Sequence, residues 1–265
     1  MREFTRARVA RACADVLRRA GVAGVLPTPL EAVQEAAGVR ARVALPPTDE
    51  RRILGALWFE ERALFVDTRQ SVPRRRFTEA HELVHLLCPW HAAVLRVDTA
   101  AELFGELALG IEAEANFGAG ELLFQGAAFR DEAEAHERSL STAFALAPRY
   151  GASRHAAAHR YVEDHADAVA LAVAGRWPAR DGRLPLWRGV ESAAFRSRFG
   201  PVAGLLADAA LDVREGPLAE AIDAARRSAE PVAAALGGFR VEVVNNRHCH
   251  LVFVSAPAPC ARRAA

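Results

Sequence analysis

The chain has 265 residues, enough for one large domain or two modest ones. Its 34 arginines and 33 acidic side chains leave a net charge of +1, so no global field calls for nucleic acid or an anionic membrane. The four cysteines, Cys13, Cys88, Cys249 and Cys260, form no C-x-x-C pair. That argues against a disulfide scaffold or a cysteine zinc knuckle and fits a reducing cytoplasm.

The Arg-rich first twenty residues lack an apolar core with a cleavage site and read as a first helix rather than a signal peptide. No run of 18 apolar residues follows, so no membrane span is expected. Thr5 to Ala20 predicts a helix stopped by Gly21, and Leu30 to Ala37 a second one closed by Gly38. Short strands are expected at Arg40–Leu45, Ile53–Phe59 and Ala63–Val66.

Next comes His81-Glu82-Leu83-Val84-His85, an HExxH spacing. On a helix, residues four apart share a face, so both imidazoles can bind one metal ion while Glu82 stands beside it as a proton acceptor. Phe77, Ala80, Leu83, Val84 and Leu87 supply the apolar stripe, with Thr78 as the expected N-cap and Pro89 as the terminator. Residues 92–108 read as a helix or loop over the site.

A zinc peptidase of this type takes a carboxylate as its third ligand and leaves a fourth position for water. Residues 110–123 read as a helix rich in small side chains, carrying Glu112, Glu114 and Asn116. Glu112 and Asn116 share a face, whereas Glu114 lies about 200° away from Glu112. Glu112 is therefore the expected ligand, Asn116 its hydrogen-bonding support, and Glu114 a solvated residue. Cys88, close by, reads as a small buried hydrophobe.

Arg75-Arg76-Phe77-Thr78-Glu79-Ala80-His81-Glu82-Leu83-Val84-His85-Leu86-Leu87 resembles the signature of the ImmA/IrrE-type zinc metallopeptidases, and Glu112 through Gln125 resembles their second block. The resemblance covers roughly residues 50 to 165. It implies one zinc ion per chain bound by His81, His85 and Glu112, with Glu82 as the catalytic base. It also implies a narrow protein substrate, a helix-turn-helix repressor whose cleavage derepresses stress or mobile-element genes. Four positions depart from the family pattern: Val84 stands for a usual Gly, Gly118 for a usual Phe, Phe124 for a usual Met and Gln125 for a usual Pro.

Glu132 to Ala147 reads as a helix, and Ala145 to Tyr161 resembles a helix-turn-helix with Gly151 in the turn and Ser153 as a cap. Arg154, His155, His159 and Arg160 could face a DNA groove there, against which stand the acidic neighbours Glu163, Asp164 and Asp167. Tyr161, ahead of Tyr150, His155, His159 and Arg160, is the expected donor to a reaction oxyanion.

Residues 178–185 read as a linker, Leu184–Val190 as a strand, and Leu218 to Leu236 as one long helix. Phe239–Val244 and His250–Val254 then form a hairpin through Asn245-Asn246-Arg247. His248 and His250 are expected as exposed histidines on one strand face.

The whole is an α+β protein: a metallopeptidase core at 1–135, a helix-turn-helix-like segment packed on it at 136–178, and a C-terminal α/β domain at 184–265 with a sensor, docking or dimerisation role. Two other readings compete with the peptidase: a DNA- or protein-binding regulator without peptidase activity, and a toxin-like protease of a toxin–antitoxin pair.

Overall fold

The computed structural model describes residues 3–45, 53–95, 101–208 and 215–257. Cys260 and residues 96–100 lie outside them. The chain divides into two compact units, one of residues 1–129 with 147–153 and one of 130–146 with 154–265. Among the described residues, no helix is long and apolar enough to cross a membrane.

The first unit opens with α1 (Glu3–Arg19), which buries Val9, Cys13, Val16 and Leu17 along one helical stripe. After α2 (Leu30–Ala36) come β1 (Ala41–Ala44), β2 (Gly55–Trp58) and β3 (Ala63–Val66) in a small sheet of order β1-β3-β2. β1 runs parallel to β3 and β2 antiparallel to it, so β2 is an edge strand. The HExxH motif sits on α3 (Val72–Leu87), which starts six residues before Thr78. Its N-cap is Ser71, with a proline in the first turn. Thr78 instead lies inside the helix, where its hydroxyl bonds the Gln70 side chain at 2.9 Å.

Pro89 ends α3 as expected, but the chain turns at once into α4 (Pro89–Leu95), with the His91 N–H on the Cys88 carbonyl at 2.8 Å. Then follows α5 (Ala101–Phe124), longer than the stretch read from sequence. Ile111, Ala115, Ala119 and Leu122 form its buried stripe.

At Gly118 of α5, an added Cβ would stand 2.6 and 2.7 Å from the two methyl groups of Val84 on α3. The two family departures therefore touch: a larger residue at 84 meets a smaller one at 118, and the helix pair keeps its close approach. Gln125, at φ +52°, accepts the Gly24 N–H at 2.6 Å and donates to the Val25 carbonyl and the Thr28 hydroxyl. An amide clamp on the α1–α2 loop thus stands where the family has a rigid proline. Phe124, Phe129 and Tyr150 pack as an aromatic trio with centroids 4.7–5.6 Å apart.

The helix expected over 132–147 is two: α6 (Ala127–Glu134), across the unit boundary, and α7 (Leu140–Leu146). Glu242 caps the latter, accepting from the Leu140 N–H at 2.8 Å and the Ser139 hydroxyl at 3.0 Å.

The rest of the second unit is α8 (Arg154–Glu163), β4 (Val169–Gly175), β5 (Leu186–Glu191), α9 (Ala193–Phe199), α10 (Val202–Asp208), α11 (Pro217–Ala225), β6 (Val232–Leu236), β7 (Phe239–Asn245) and β8 (Cys249–Ser255). Its five-stranded antiparallel sheet has the order β5-β4-β8-β7-β6. On one face Ala170, Ala172, Val241, Val243, Val252 and Val254 pack with Phe195, Leu206 and Ile222 of α9–α11. On the other, Phe253 meets Tyr161 of α8.

The segment 136–178 is accordingly not a third body. Its turn residues 147–153 belong to the first unit, and near its end lies β4, a strand beside the sheet's centre. Being buried on both faces, β4 shows no alternation that would have announced it. The long helix expected over 218–236 also fails. Pro231 cannot sit inside a helix and forces the residue before it towards extended backbone, so α11 ends at Ala225 and Val232–Leu236 pairs with β7. His250 is fully buried, while His248 is exposed and precedes the strand.

Candidate metal centre

His81 and His85 project from successive turns of α3, and Glu112 from α5, which packs beside it. His81 Nε2 lies 3.2 Å from His85 Nε2 and 3.1 Å from Glu112 Oε2, and His85 Nε2 lies 3.5 Å from Glu112 Oε1. One nitrogen or oxygen from each forms a cluster within 4.8 Å. Donors 2.0–2.1 Å from a tetrahedral zinc stand about 3.3–3.4 Å from one another, so this donor set fits that ion in kind and in spacing.

Burial alone would lower the His81 pKa, but the hydrogen bond to Glu112 and the charges of Glu82 and Glu112 outweigh it and hold it above its usual value. Glu112 is lowered in turn, chiefly by the bond to His81. The pair already stabilises a positive charge between them.

The other ring nitrogens fix the tautomers. His81 Nδ1 donates to Asn116 Oδ1 at 3.2 Å, so the neutral ring carries its lone pair on Nε2, towards the cluster. Asn116 thus supports the imidazole and not, as expected, the Glu112 carboxylate.

Behind His85 stands a relay that the sequence reading missed. His85 Nδ1 is 3.0 Å from His91 Nδ1, and His91 Nε2 is 3.0 Å from Glu114 Oε2. A carboxylate only accepts, so His91 donates from Nε2 and, being neutral, offers Nδ1 as an acceptor. His85 then donates from Nδ1 and keeps Nε2 bare. Burial agrees with neutral rings: it lowers His91, and it lowers His85 to about 4 with help from the neighbouring His81. Glu114 is not solvated; it also accepts from the Trp90 indole at 2.7 Å. Cys88 is fully buried, burial pushes its thiol up to about 12, and it is not one of the three side chains that converge.

Glu82 shares the face of α3 that lies under β2. A Cβ on Gly55 would be 2.5 Å from Thr78 Cγ2 and 3.0 Å from Glu82 Oε1, so only glycine lets the edge strand pass this close. Desolvation in that position raises the Glu82 carboxyl to about 7.

Tyr161 is in the second unit, 2% exposed, its ring against His165 and Phe253 and its hydroxyl 3.5 Å from the Glu137 carbonyl. It is a packing residue there. Tyr150 is buried in the aromatic trio of the first unit. On α8, Arg160 is buried and paired with Asp164 at 2.6 Å, and Arg154 donates to the Ala229 carbonyl at 3.2 Å. Arg160 therefore faces inward rather than towards a DNA groove, while Arg154 is exposed.

Residues 36–161 match the family model of the IrrE N-terminal-like domain, Peptidase_M78. A solved structure of a Mycobacterium tuberculosis transcriptional regulator superposes with a TM-score of 0.60 at 14% identity, over 94% of this chain and 75% of that one. At that identity the likeness is one of fold. No curated protein sequence matches the chain.

Proposed function

With residues 36–161 belonging to the IrrE N-terminal-like domain of the Peptidase M78 family, we propose that the chain is a zinc-dependent endopeptidase that cuts one peptide bond in a specific protein, a helix-turn-helix repressor. Cleavage would derepress stress or mobile-element genes. The observation that carries the reading is the convergence of His81, His85 and Glu112 within 4.8 Å, with Glu82 next in sequence to the first of them.

Zinc held by those three side chains would polarise the scissile carbonyl and lower the pKa of a bound water. Glu82 takes the water's proton and hands it to the leaving amine. A carboxyl raised to about 7 by burial suits both halves of that transfer near neutral pH. Asn116 and the His91–Glu114 pair hold the two imidazoles in the tautomers that leave Nε2 free. Among the described residues the outer edge of β2, which runs past Glu82 at Gly55, has no partner strand, and its backbone donors and acceptors can align an extended substrate segment.

Glu82→Gln keeps the shape of the side chain and removes the base. The variant should retain one zinc per chain and lose cleavage of the repressor encoded beside this gene by about 10³-fold or more. Wild-type cleavage by Glu82→Gln would end the assignment of the base. Full regulatory output from the same variant, without cleavage, would favour a binding regulator.

A further inference from the structure

The second unit carries a cleft of its own, about 560 Å³, at the end of the sheet where β7 turns into β8. That volume lies in the range of small-molecule sites. Arg154 from α8, Arg176 after β4, Arg226 after α11 and Arg247 in the hairpin all reach it. Trp177 stands on its wall, 65% exposed.

Among the described residues, Arg227 at the rim is paired with Asp223 at 2.6 Å, but the other four arginines have no carboxylate within ion-pair distance. Backbone carbonyls position three of them instead. Arg154 donates to Ala229 at 3.2 Å, Arg176 to Arg247 at 2.9 Å and Arg226 to Arg176 at 3.5 Å. Each such bond uses one of the five N–H donors of a guanidinium, so most of the donors remain unspent. Like charges gathered and aimed in this way repel one another, and a polyanion between them would remove that repulsion. Arginine's planar fork matches phosphate oxygens in particular.

The aromatic group narrows the ligand further. The guanidinium carbons of Arg176 and Arg226 lie 5.0 and 5.7 Å from the Trp177 ring centroid, so the indole is held at the cationic wall while most of its surface stays open. An exposed indole beside phosphate-binding groups is a platform for a flat heterocycle.

We propose that this cleft binds a nucleotide, with its phosphates on Arg154, Arg176 and Arg226 and its base against Trp177. The site is independent of the metal centre and does not rest on the peptidase reading.

The test is calorimetric titration of the full chain with ATP and, separately, with inorganic tripolyphosphate. ATP should bind one per chain. Arg226→Gln and Arg154→Gln should each weaken it by about tenfold or more, since each removes charge-assisted bonds to phosphate. Arg226 is exposed, so its variant tests charge rather than folding. Arg198→Gln, an equal loss of charge on α9, should leave affinity unchanged. Trp177→Ala should weaken ATP and spare tripolyphosphate. His85→Ala should keep ATP affinity, which separates this cleft from chelation at the metal centre. No binding of ATP at millimolar concentration would overturn the proposal. So would undiminished affinity in both arginine variants or in Trp177→Ala, an equal loss in Arg198→Gln, or loss in His85→Ala.

Discussion

Zinc affinity at an imidazole depends on which nitrogen carries the proton, and here Glu114 settles that two side chains away. Its bond to His91 fixes the His91 tautomer, which fixes that of His85. Removing either partner leaves His85 free to turn or to protonate the wrong nitrogen. His91→Ala and Glu114→Ala should therefore each weaken zinc binding about 10- to 100-fold, measured by chelator competition; unchanged affinity in both would remove the relay's role. The convergence of His81, His85 and Glu112 was legible because HExxH has a fixed helical geometry and Glu112 shares a face with Asn116. His91 was not, because it lies beyond Pro89, where the helical period is interrupted and spacing no longer gives direction. Glu114 was misread for a related reason. A helix has no free side where α4 packs on α5, so pointing away from Glu112 did not mean pointing into water.

The proposed metal ligands come from α3 and α5, so the contact between those helices sets the donor spacing. Val84 and Gly118 fill that contact together. Gly118→Ala should destabilise the protein by about 1–3 kcal/mol through overpacking. In the Val84→Ala background the two Val84 methyl groups are gone and only the Val9 Cγ1 at 2.9 Å remains close, so the same substitution should cost less. Urea unfolding of the two single variants and the double one measures that coupling, and strict additivity would show that the pair does not interact. At this scale the sequence was read best where periodicity ran uninterrupted, as in α1, α3 and β3. It was read worst where apolar alanine stretches carry no period. Val232–Leu236 has the composition of a helix and becomes a strand because Pro231 and the neighbouring β7 decide. β4 was invisible for want of a polar face.

Across the molecule, the buried His165 and His250 and the half-buried His159 of the second unit set a limit in acid. Burial lowers His165 and His250, and it lowers His159 to about 4. An unfolded histidine titrates near about 6.5, so below that pH the unfolded chain binds more protons than the folded one. Stability is complete above this value and is lost as pH falls from about 6.5 towards 4. Thermal melts between pH 7.5 and 4.5 should show the second unit's transition fall steeply across that window. His159→Gln should flatten part of the slope; a melt independent of pH would mean that these rings are not held neutral. Sequence reading gave three consecutive segments, whereas the two units interleave along the chain. Residues 147–153 return to the first unit because Tyr150 belongs to the aromatic trio formed with Phe124 and Phe129.

The contact between residues 84 and 118 also has a history. The ImmA/IrrE pattern of Gly at the first and Phe at the second is the mirror of Val84 and Gly118. One arrangement cannot become the other by enlarging first, because two bulky residues would collide across helices that leave no room even for a methyl group. A route that avoids the collision passes through a small residue at both sites, with a void between the helices. Variation at the two sites is then a single inherited character, and sequences of this lineage should sort by the pair rather than by either column alone.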